Sequence, residues 1–400
     1  MKKILAFIIT SFLLCTVMFS KGFFGDRFFE YKISVPFAIS NNCFSVDDFM
    51  KKEAVIDFKK YVNDLNGENL DFITTVNPDV SINLNLPHFS IGFDAGLDVF
   101  SNIAFSDGLL KFMATGMKIN DVIDISVSPK IDIFVYSQAN VGLKLSNFNL
   151  YVRPGVFIPA VSVSGSTGGI KIENTNSGIN IITDTVFNTY STVDLESIMS
   201  DPETFDFDYS VLGIDLAFGG DFFLIPRLLK LSADARIPIV PATMNYQIAT
   251  SFASSTTISL AELDAFEMNI PEAEFQNIGS AAYKINRPLV AMGYIDFYPM
   301  RNFLDLRVGG GVGIYHPFMT DDTSEFYFQY YLGLTVNIIN MLKFSLSSEY
   351  TKQIFVQQAG FVLNLRIIEI DLGLSMQSSS FAKSWLGSGF GGYLVFSMGF

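Results

Sequence analysis

Long segments of this chain alternate strictly between two kinds of residue. From Leu304 to Ile314 every second residue is apolar or glycine, and the residues between them are charged, small or amphipathic, beginning with Asp305 and Arg307. The same alternation recurs over residues 326–338, 342–349, 368–376 and 391–400. A period of two puts successive side chains on opposite faces of a β-strand. Strands of about ten residues with one apolar face are typical of transmembrane barrels, whereas strands in soluble proteins average about 5–6 residues.

The connections between these strands are of two lengths. Tight turns that carry Pro, Asn or Arg lie within residues 222–231, 295–304, 336–344 and 363–371. Longer connections rich in Ser, Thr, Asp and Asn cover residues 164–206, 254–285, 317–325 and 377–388, and residues 194–200 and 260–275 are expected to fold locally. Short turns at one end and long loops at the other are typical of outer-membrane barrels.

The strand count follows from the same pattern. We count nine strands from residue 206 onward and five or seven between residues 79 and 219. The predicted fold is therefore all-β, a transmembrane antiparallel up-and-down β-barrel of about 14 strands, with an even number required if both termini lie on one side.

The composition agrees with a membrane location. Apolar residues make up 49% of the 400 residues, charged residues only 16%, and 41 Phe and 16 Tyr supply most of the aromatic rings. A disordered chain is excluded by this apolar content, and an ordinary cytosolic enzyme fits it poorly. The net charge of −14 argues against nucleic acid as a partner, because nucleic-acid binding requires basic patches.

The N-terminus predicts export. Lys2 and Lys3 precede an apolar run over residues 4–19, and Ser20-Lys21-Gly22 places small residues where a signal peptidase cuts. Residues 1–22 are therefore expected to be a cleaved signal peptide. A lipoprotein at Cys15 is disfavoured by the bulky Leu14 before it. Cleavage would leave Cys43 as the only cysteine, so no intrachain disulfide is expected.

Residues 23–78 carry the clearest helical signal. Ser45 is a candidate N-cap with Asp48 three residues later, and apolar residues then follow at helical spacing until Gly67. We predict a partly helical N-terminal plug over residues 23–78, followed by the barrel over residues 79–400.

The C-terminal strand ends in an aromatic residue. Leu394, Phe396, Met398 and Phe400 share one face, which is expected to contact lipid. A last amphipathic strand that ends in Phe resembles the insertion signal of bacterial outer-membrane barrels, and it implies the barrel-assembly machinery and outer-membrane lipid as partners.

Several polar residues and glycines of the alternating segments are candidates for the barrel interior. Asp305, Arg307, Glu369 and Asp371 are expected to face the lumen, where they either line a polar pathway or pair with one another. Gly309, Gly311 and Gly313 would leave lumen space or accept close packing. These seven residues predict no catalytic centre.

The remaining motifs argue against cofactors and metals. Gly387-x-Gly389-x-x-Gly392 matches the dinucleotide fingerprint, but a strand rather than a helix follows it. His88 and His316, the only histidines, each adjoin a proline and are expected at loops or strand ends rather than in a zinc site. The acidic residues of 201–208 are interpreted as a solvated loop, with calcium binding as the alternative. We therefore predict no cofactor, no metal and no enzymatic activity.

The layout resembles the long-chain fatty-acid transporter (FadL-type) barrel family. The shared features are an exported chain near 400 residues, a partly helical segment before the barrel, about 14 strands, a terminal Phe, and Asn77-Pro78 just before the predicted first strand. The resemblance implies a passive outer-membrane transporter for a hydrophobic, fatty-acid-like solute, gated by its N-terminal segment. The alternatives are a non-transporting structural or adhesive barrel whose long loops bind a partner, an outer-membrane enzyme, and a periplasmic β-rich protein.

Overall fold

A computed structural model describes most of the chain beyond its N-terminus. The described residues are 27–44, 57–193, 211–258, 273–300, 302–318, 324–339, 341–351 and 354–400. The predicted signal peptide, the expected local fold at 194–200, the acidic loop at 201–208 and most of 260–275 lie outside these residues.

Across the described residues, 19 strands join in one sheet. The strands are β1 (Phe29–Asn41), β2 (Leu70–Val76), β3 (Asp79–Asn85), β4 (Phe89–Phe105), β5 (Val122–Ile125), β6 (Val127–Lys144), β7 (Phe148–Thr175), β8 (Gly178–Ser191), β9 (Gly213–Ile225), β10 (Leu229–Val240), β11 (Ala242–Ile258), β12 (Ala273–Ile285), β13 (Leu289–Met300), β14 (Leu304–Tyr315), β15 (Glu325–Ile339), β16 (Leu342–Thr351), β17 (Ile354–Asn364), β18 (Ile368–Ser378) and β19 (Gly389–Gly399). The helices are α1 (Phe58–Leu65), α2 (Gly108–Thr115) and α3 (Phe381–Ser384). Among the described residues, no helix is both long enough and apolar enough to cross a membrane.

The sheet closes on itself. β1 pairs antiparallel with β19 on one side, from Glu30 opposite Gly399 to Ile39 opposite Phe390, and with β2 and β3 on the other. Because β2 and β3 both lie between β1 and β4, they share one position in the wall. In the described part of the chain the wall therefore has 14 positions, in the order β1, β2/β3, β4, β6, β7, β9, β10, β13, β14, β15, β16, β17, β18 and β19. The predicted antiparallel barrel of about 14 strands is confirmed.

The wall separates an apolar outside from a polar inside. Leu374, Phe328 and Leu346 are 74%, 67% and 58% exposed on the outer face, where they form part of a continuous apolar belt. Such a belt on a closed barrel is the surface that a bilayer covers. At the end with the long loops, aromatic rings follow one another along the outer rim, with Tyr350 and Phe355 4.4 Å apart between ring centroids. Aromatic girdles of this kind lie at membrane–water interfaces.

Inner-face glycines are covered by aromatic side chains of neighbouring strands. A β-carbon added at Gly309 would collide with the Tyr294 ring, and one at Gly313 would collide with the Tyr327 ring. At Gly311 an added β-carbon would collide with the Ala291 carbonyl oxygen and the Met292 sulfur. These glycines therefore accept close packing and do not leave open lumen space.

The N-terminal segment differs from the predicted plug. Residues 29–41 and 70–76 are wall strands with a partner on each side, so the prediction of a plug over 23–78 is wrong for them, and the barrel begins at Phe29. The physical reason is visible in β1, where Ile33, Val35 and Phe37 point outward between inner residues such as Ser34. This alternation has the strand period, and the helical signal belongs to the segment after it.

The helical part of that segment lies at the end with the long loops. α1 begins after Asp57, whose side chain accepts a hydrogen bond from the Lys60 backbone N–H at 3.2 Å, and it packs against α2. Their shared core contains Cys43, Tyr61 and Leu110, all buried.

The described parts of two predicted long loops, 164–193 in the first and 254–258 with 273–285 in the second, are largely strands. Residues 161–175 of β7 pair with β8, β8 pairs with β11, and β11 pairs with β12. We call residues 161–175 of β7, together with β8, β11 and β12, the extension sheet. These four segments pair with one another beyond the ends of the wall strands. The Ser- and Thr-rich composition predicted loops, but β-branched residues such as Ile170, Ile172 and Thr183 also favour strands.

Candidate functional site: side chains that cross the lumen

A buried arginine joins strands on different sides of the lumen. Arg287 follows β12, is 3% exposed, and donates from Nη1 to Asp215 Oδ2 on β9 at 2.6 Å. Its Nη2 donates to Asp98 Oδ2 on β4 at 3.1 Å. β13 begins two residues after Arg287, and β6, β7, β9 and β10 separate it from β4 in the wall, so the bond to Asp98 crosses the barrel interior. The guanidinium also lies 4.2 Å from the centroid of the Tyr136 ring on β6.

A second arginine completes this charge cluster. Arg236 on β10 approaches Asp98 with Nη1 to Oδ2 at 3.6 Å, and its Nε donates to the Pro288 carbonyl at 3.2 Å. Two arginines thus face two carboxylates, and the group is neutral overall. Buried charges are tolerated when they are paired in this way.

The local sequence explains how Arg287 reaches the interior. Pro241 separates β10 from β11, and Asn286-Arg287-Pro288 separates β12 from β13. Proline lacks an N–H donor and interrupts a strand ladder, so both strands of this long hairpin break at the same level. The Asn286 side chain donates to the Pro317 carbonyl at 2.9 Å and holds the break in place.

Aromatic rings span the lumen at the same level. The Phe100 ring on β4 lies 5.2 Å from Tyr315 at the end of β14, and Tyr315 lies 4.8 Å from Tyr327 on β15. β4 and β14 are far apart in the wall order, so this contact also crosses the interior. Lys130 lies 5.1 Å from the Tyr315 ring and pairs with Glu325 at 3.1 Å.

A histidine adds a further connection. His316 Nε2 lies 3.0 Å from Asp132 Oδ2 on β6, and Asp132 Oδ1 accepts a hydrogen bond from Ser162 at 2.7 Å. His316 directly follows β14, as the sequence suggested, but it is 3% exposed and belongs to the interior. No local signal distinguished it from His88, which lies exposed in a short turn.

We call this set the cross-lumen layer. It comprises Asp98, Phe100, Asp132, Tyr136, Asp215, Arg236, Arg287, Tyr315, His316 and Tyr327. An apolar cluster of Phe134, Phe157, Ala242, Met244 and Ile285 adjoins it and packs the base of the extension sheet against β6 and β7. In the extension sheet itself, Tyr283 stacks on Tyr190 at 4.0 Å, and burial raises the pKa of Tyr283.

A cavity lies in the lumen beside this layer. It has a volume of about 510 Å³. The inner-face side chains that line it are Ser34, Pro36, Ala38, Thr75, Asn77, Glu349, Thr351, Ile354, Val356, Gln358, Asp371, Ser375, Gln377, Tyr393 and Val395. We call it the lumen cavity. A recess of about 940 Å³ between β7, β9, β10 and β13 lies on the opposite, lipid-facing side of the wall and is lined mainly by apolar residues.

The four predicted polar residues lie on the inner face but do not form one site. Arg307 donates from Nη2 to Asp296 at 3.2 Å, and Asp305 accepts a hydrogen bond from Asn337 at 3.4 Å. Glu369 lies 3.8 Å from an Arg27 nitrogen. Asp371 lines the lumen cavity and accepts a hydrogen bond from Tyr393 at 2.9 Å.

The predicted insertion signal occupies the last strand. Leu394 and Met398 are 52% and 43% exposed on the outer face, and Phe396 is half-buried on the same face. Phe400 lies beyond β19, against the rings of Phe28 and Phe29.

Sequence reasoning missed the residues of the cross-lumen layer. Arg287 and Asp98 are separated by 189 residues, and His316 and Asp132 by 184 residues. No short motif links such pairs. Within the described residues, no group of three or more His, Cys, Asp or Glu side chains could hold a metal ion.

Comparisons with known proteins find structural similarity but no match in sequence. No family profile matches the sequence, and no curated protein matches it. The toluene transporter TodX of P. putida aligns at a TM-score of 0.49 and 8% identity, covering 94% of this chain and 91% of that chain. The toluene transporter TbuX of Ralstonia pickettii aligns at 0.48 and 7% identity, over 96% and 92% of the two chains. A Pseudomonas aeruginosa FadL homologue aligns at 0.44 and 10% identity, over 94% and 90%. Each of the three alignments extends over at least 90% of both chains.

Proposed function

We propose that this protein is a passive outer-membrane channel for a small hydrophobic or amphipathic solute, and that the cross-lumen layer closes its lumen. The observation that carries the proposal is the lumen cavity beside a layer of side chains that spans the interior. A closed wall with an apolar belt outside supports a path through the membrane that includes this cavity.

The lining of the lumen cavity supports an amphipathic solute. Ile354, Val356 and Val395 present apolar surface, while Glu349 and Gln358 present polar groups. Ligand pockets commonly combine apolar walls with a few polar groups that orient the ligand.

The cross-lumen layer supports a closed resting state. Arg287 is held by two carboxylates and one aromatic ring, and the Phe100–Tyr315 contact runs beside it. Opening would require these contacts to separate, and the strand breaks at Pro241 and Pro288 offer hinges for such a movement.

Gating by residues 23–78, which the sequence suggested, is not part of this proposal. Residues 29–41 and 70–76 are hydrogen-bonded into the wall on both sides, so they could not move without opening the barrel.

Single-channel recording in planar bilayers tests the proposal. Wild-type protein should show low or intermittent conductance. Arg287→Ala should raise the open fraction because it removes the bonds from Arg287 to Asp98 on β4 and to Asp215 on β9. In parallel, bacterial cells that produce the protein should take up a radiolabelled small amphipathic solute, such as an alkyl alcohol or an alkylamine, faster than cells that lack it. Background conductance and background uptake for both proteins would contradict the proposal.

The extension sheet favours a second candidate function. β7 runs for 28 residues, and its outer part forms a paired, Ser- and Thr-rich surface beyond the membrane belt. A non-transporting barrel that binds a partner through this sheet is the alternative. Background conductance together with partner binding that is lost when residues 166–188 are deleted would support it.

A further inference from the structure

We propose that the lumen cavity binds a small amphipathic cation, a primary ammonium group carried on a short alkyl chain. The proposal deepens the proposed function by naming the solute class, and it rests on that function only for the claim that the bound molecule also crosses the membrane.

The first observation is an acidic group without a partner. Glu349 lies on the inner face of β16 and lines the lumen cavity. Among the described residues it makes no ion pair or hydrogen bond. A half-buried carboxylate in such a position lacks the compensation that charges inside proteins normally have.

The second observation concerns the other polar groups of the cavity. Gln377 is 2% exposed, its Nε2 donates to Ser375 Oγ at 2.9 Å, and its Oε1 has no donor. Asn77 Oδ1, at the break between β2 and β3, also has no donor. Buried oxygens without donors are uncommon, and a ligand that brings N–H groups would satisfy them.

The third observation is the sign of the charge. Asp371 also lines the lumen cavity and uses one oxygen for Tyr393, whereas none of the residues lining the cavity is a lysine or arginine. Lys32 and Lys343 influence Asp371 electrostatically, but neither lines the cavity. A carboxylate solute would meet two carboxylates here, so the site discriminates against a fatty-acid headgroup.

The fourth observation supplies the place for the alkyl chain. Ile354 and Val356, which line the cavity, form a buried apolar cluster with Ile73, and the Phe100 ring packs against them. The volume of about 510 Å³ lies within the roughly 300–1,000 Å³ of typical ligand pockets. An ammonium group at Glu349 could therefore extend its chain toward this cluster.

Binding of three matched six-carbon probes tests the proposal. Hexylamine, hexan-1-ol and hexanoate each have six carbons in an unbranched chain and differ at the first carbon. Isothermal titration calorimetry would measure their binding to the full-length protein in detergent micelles, with empty micelles subtracted. Hexylamine should bind at least about tenfold more tightly than the other two, as expected for a charge-assisted hydrogen bond. Glu349→Gln should remove this preference.

Control variants separate the site from general effects. Asp305→Asn changes another inner-face carboxylate, outside the cavity lining, and should keep the preference for hexylamine. Glu349→Asp keeps the charge and should keep the preference at lower affinity. A heat-dependent mobility shift in gel electrophoresis would show that each variant is folded, and the wild-type comparison of the three probes remains decisive if a variant does not fold.

The outcomes distinguish this inference from the proposed function. Equal binding of hexanoate and hexylamine, or an unchanged preference in folded Glu349→Gln, would overturn the cation site even if the protein conducts. Selective hexylamine binding without any conductance or uptake would support the site and overturn the transport function.

Discussion

Phe29 and Phe400 exchange two backbone hydrogen bonds, each 3.0 Å from nitrogen to oxygen. The first wall strand is thereby joined to the last residue of the chain. The Phe400 ring lies 6.2 Å from the Phe28 ring and 5.8 Å from the Phe29 ring. The terminal aromatic residue therefore has a structural role in closing the barrel, in addition to its predicted role in membrane insertion.

Removal of the Phe400 ring should slow assembly and weaken closure. We expect Phe400→Ala to cost about 1–2 kcal/mol, less than the roughly 3–5 kcal/mol of a fully buried Phe, because the ring is only half-buried. The folded fraction after refolding into detergent, measured by heat-dependent mobility, would check this. Phe390→Ala is the matched control, because Phe390 is 56% exposed on the outer face at the other end of β19. Equal effects of the two substitutions would contradict a closure role.

Cysteine cross-linking should show that residues 29–41 belong to the wall. Val35 lies directly opposite Leu394, and both side chains point outward. Directly opposed residues in antiparallel strands have α-carbons about 4.5–5.5 Å apart, within disulfide range. Val35→Cys with Leu394→Cys should therefore form a disulfide on mild oxidation, detected as a gel shift that reductant reverses.

The control pair for this cross-link keeps one cysteine and moves the other. Val35→Cys with Phe390→Cys is four residues out of register, about 13 Å along the strand, and should not cross-link. Cross-linking of neither pair in folded protein would restore the possibility of an N-terminal plug.

The glycines of β14 should differ in their tolerance of alanine. Gly313→Ala would place a methyl group against the Tyr327 ring and should cost roughly 1–3 kcal/mol, as overpacking does. Gly310 faces outward with nothing within 4 Å of an added β-carbon, so Gly310→Ala should change stability by less than about 0.5 kcal/mol. Urea titrations followed by intrinsic fluorescence would compare the two variants. The double variant Gly313→Ala/Tyr327→Ala should cost less than the sum of the two single substitutions, since the added methyl group no longer meets the Tyr327 ring.

Arg287→Ala should destabilise the barrel as well as raise conductance. It leaves Asp215, 1% exposed, without its cation, and breaking a buried ion pair from one side costs roughly 3–5 kcal/mol. Arg227→Ala removes an exposed arginine from a short turn and should have little effect on either measurement. The double variant Arg287→Ala/Asp215→Ala should be more stable than Arg287→Ala alone, because it removes the unpaired carboxylate of Asp215 while Arg236 still pairs with Asp98. The urea midpoint of each variant would test this order, and identical midpoints for all of them would contradict a structural ion pair.

The candidate site was less accessible to sequence reasoning than the fold. The alternation of Asp305 and Arg307 with apolar neighbours predicted that both side chains face the lumen. It did not predict that Arg307 would form an ion pair with Asp296, or that Asp371 would accept a hydrogen bond from Tyr393. Composition misled in the extension sheet, where Ser and Thr predicted loops. At the N-terminus, the helical pattern after Ser45 led to the prediction of a plug over the whole of residues 23–78. The two-residue alternation of β1 within that range indicates a wall strand.

The sequence by itself determined the strand period, the apolar outer face, the approximate number of strands and the short turns, because each of these depends on neighbouring residues along one chain segment. Only the tertiary structure decided that residues 29–41 close the wall, that Arg287 reaches Asp98 and Asp215, and that Glu349 and Gln377 line one cavity. Those outcomes depend on which strands become neighbours and on how side chains from distant segments fill the interior. Pairing across the lumen is governed by the closure of the whole sheet, and no local pattern of residues encodes it.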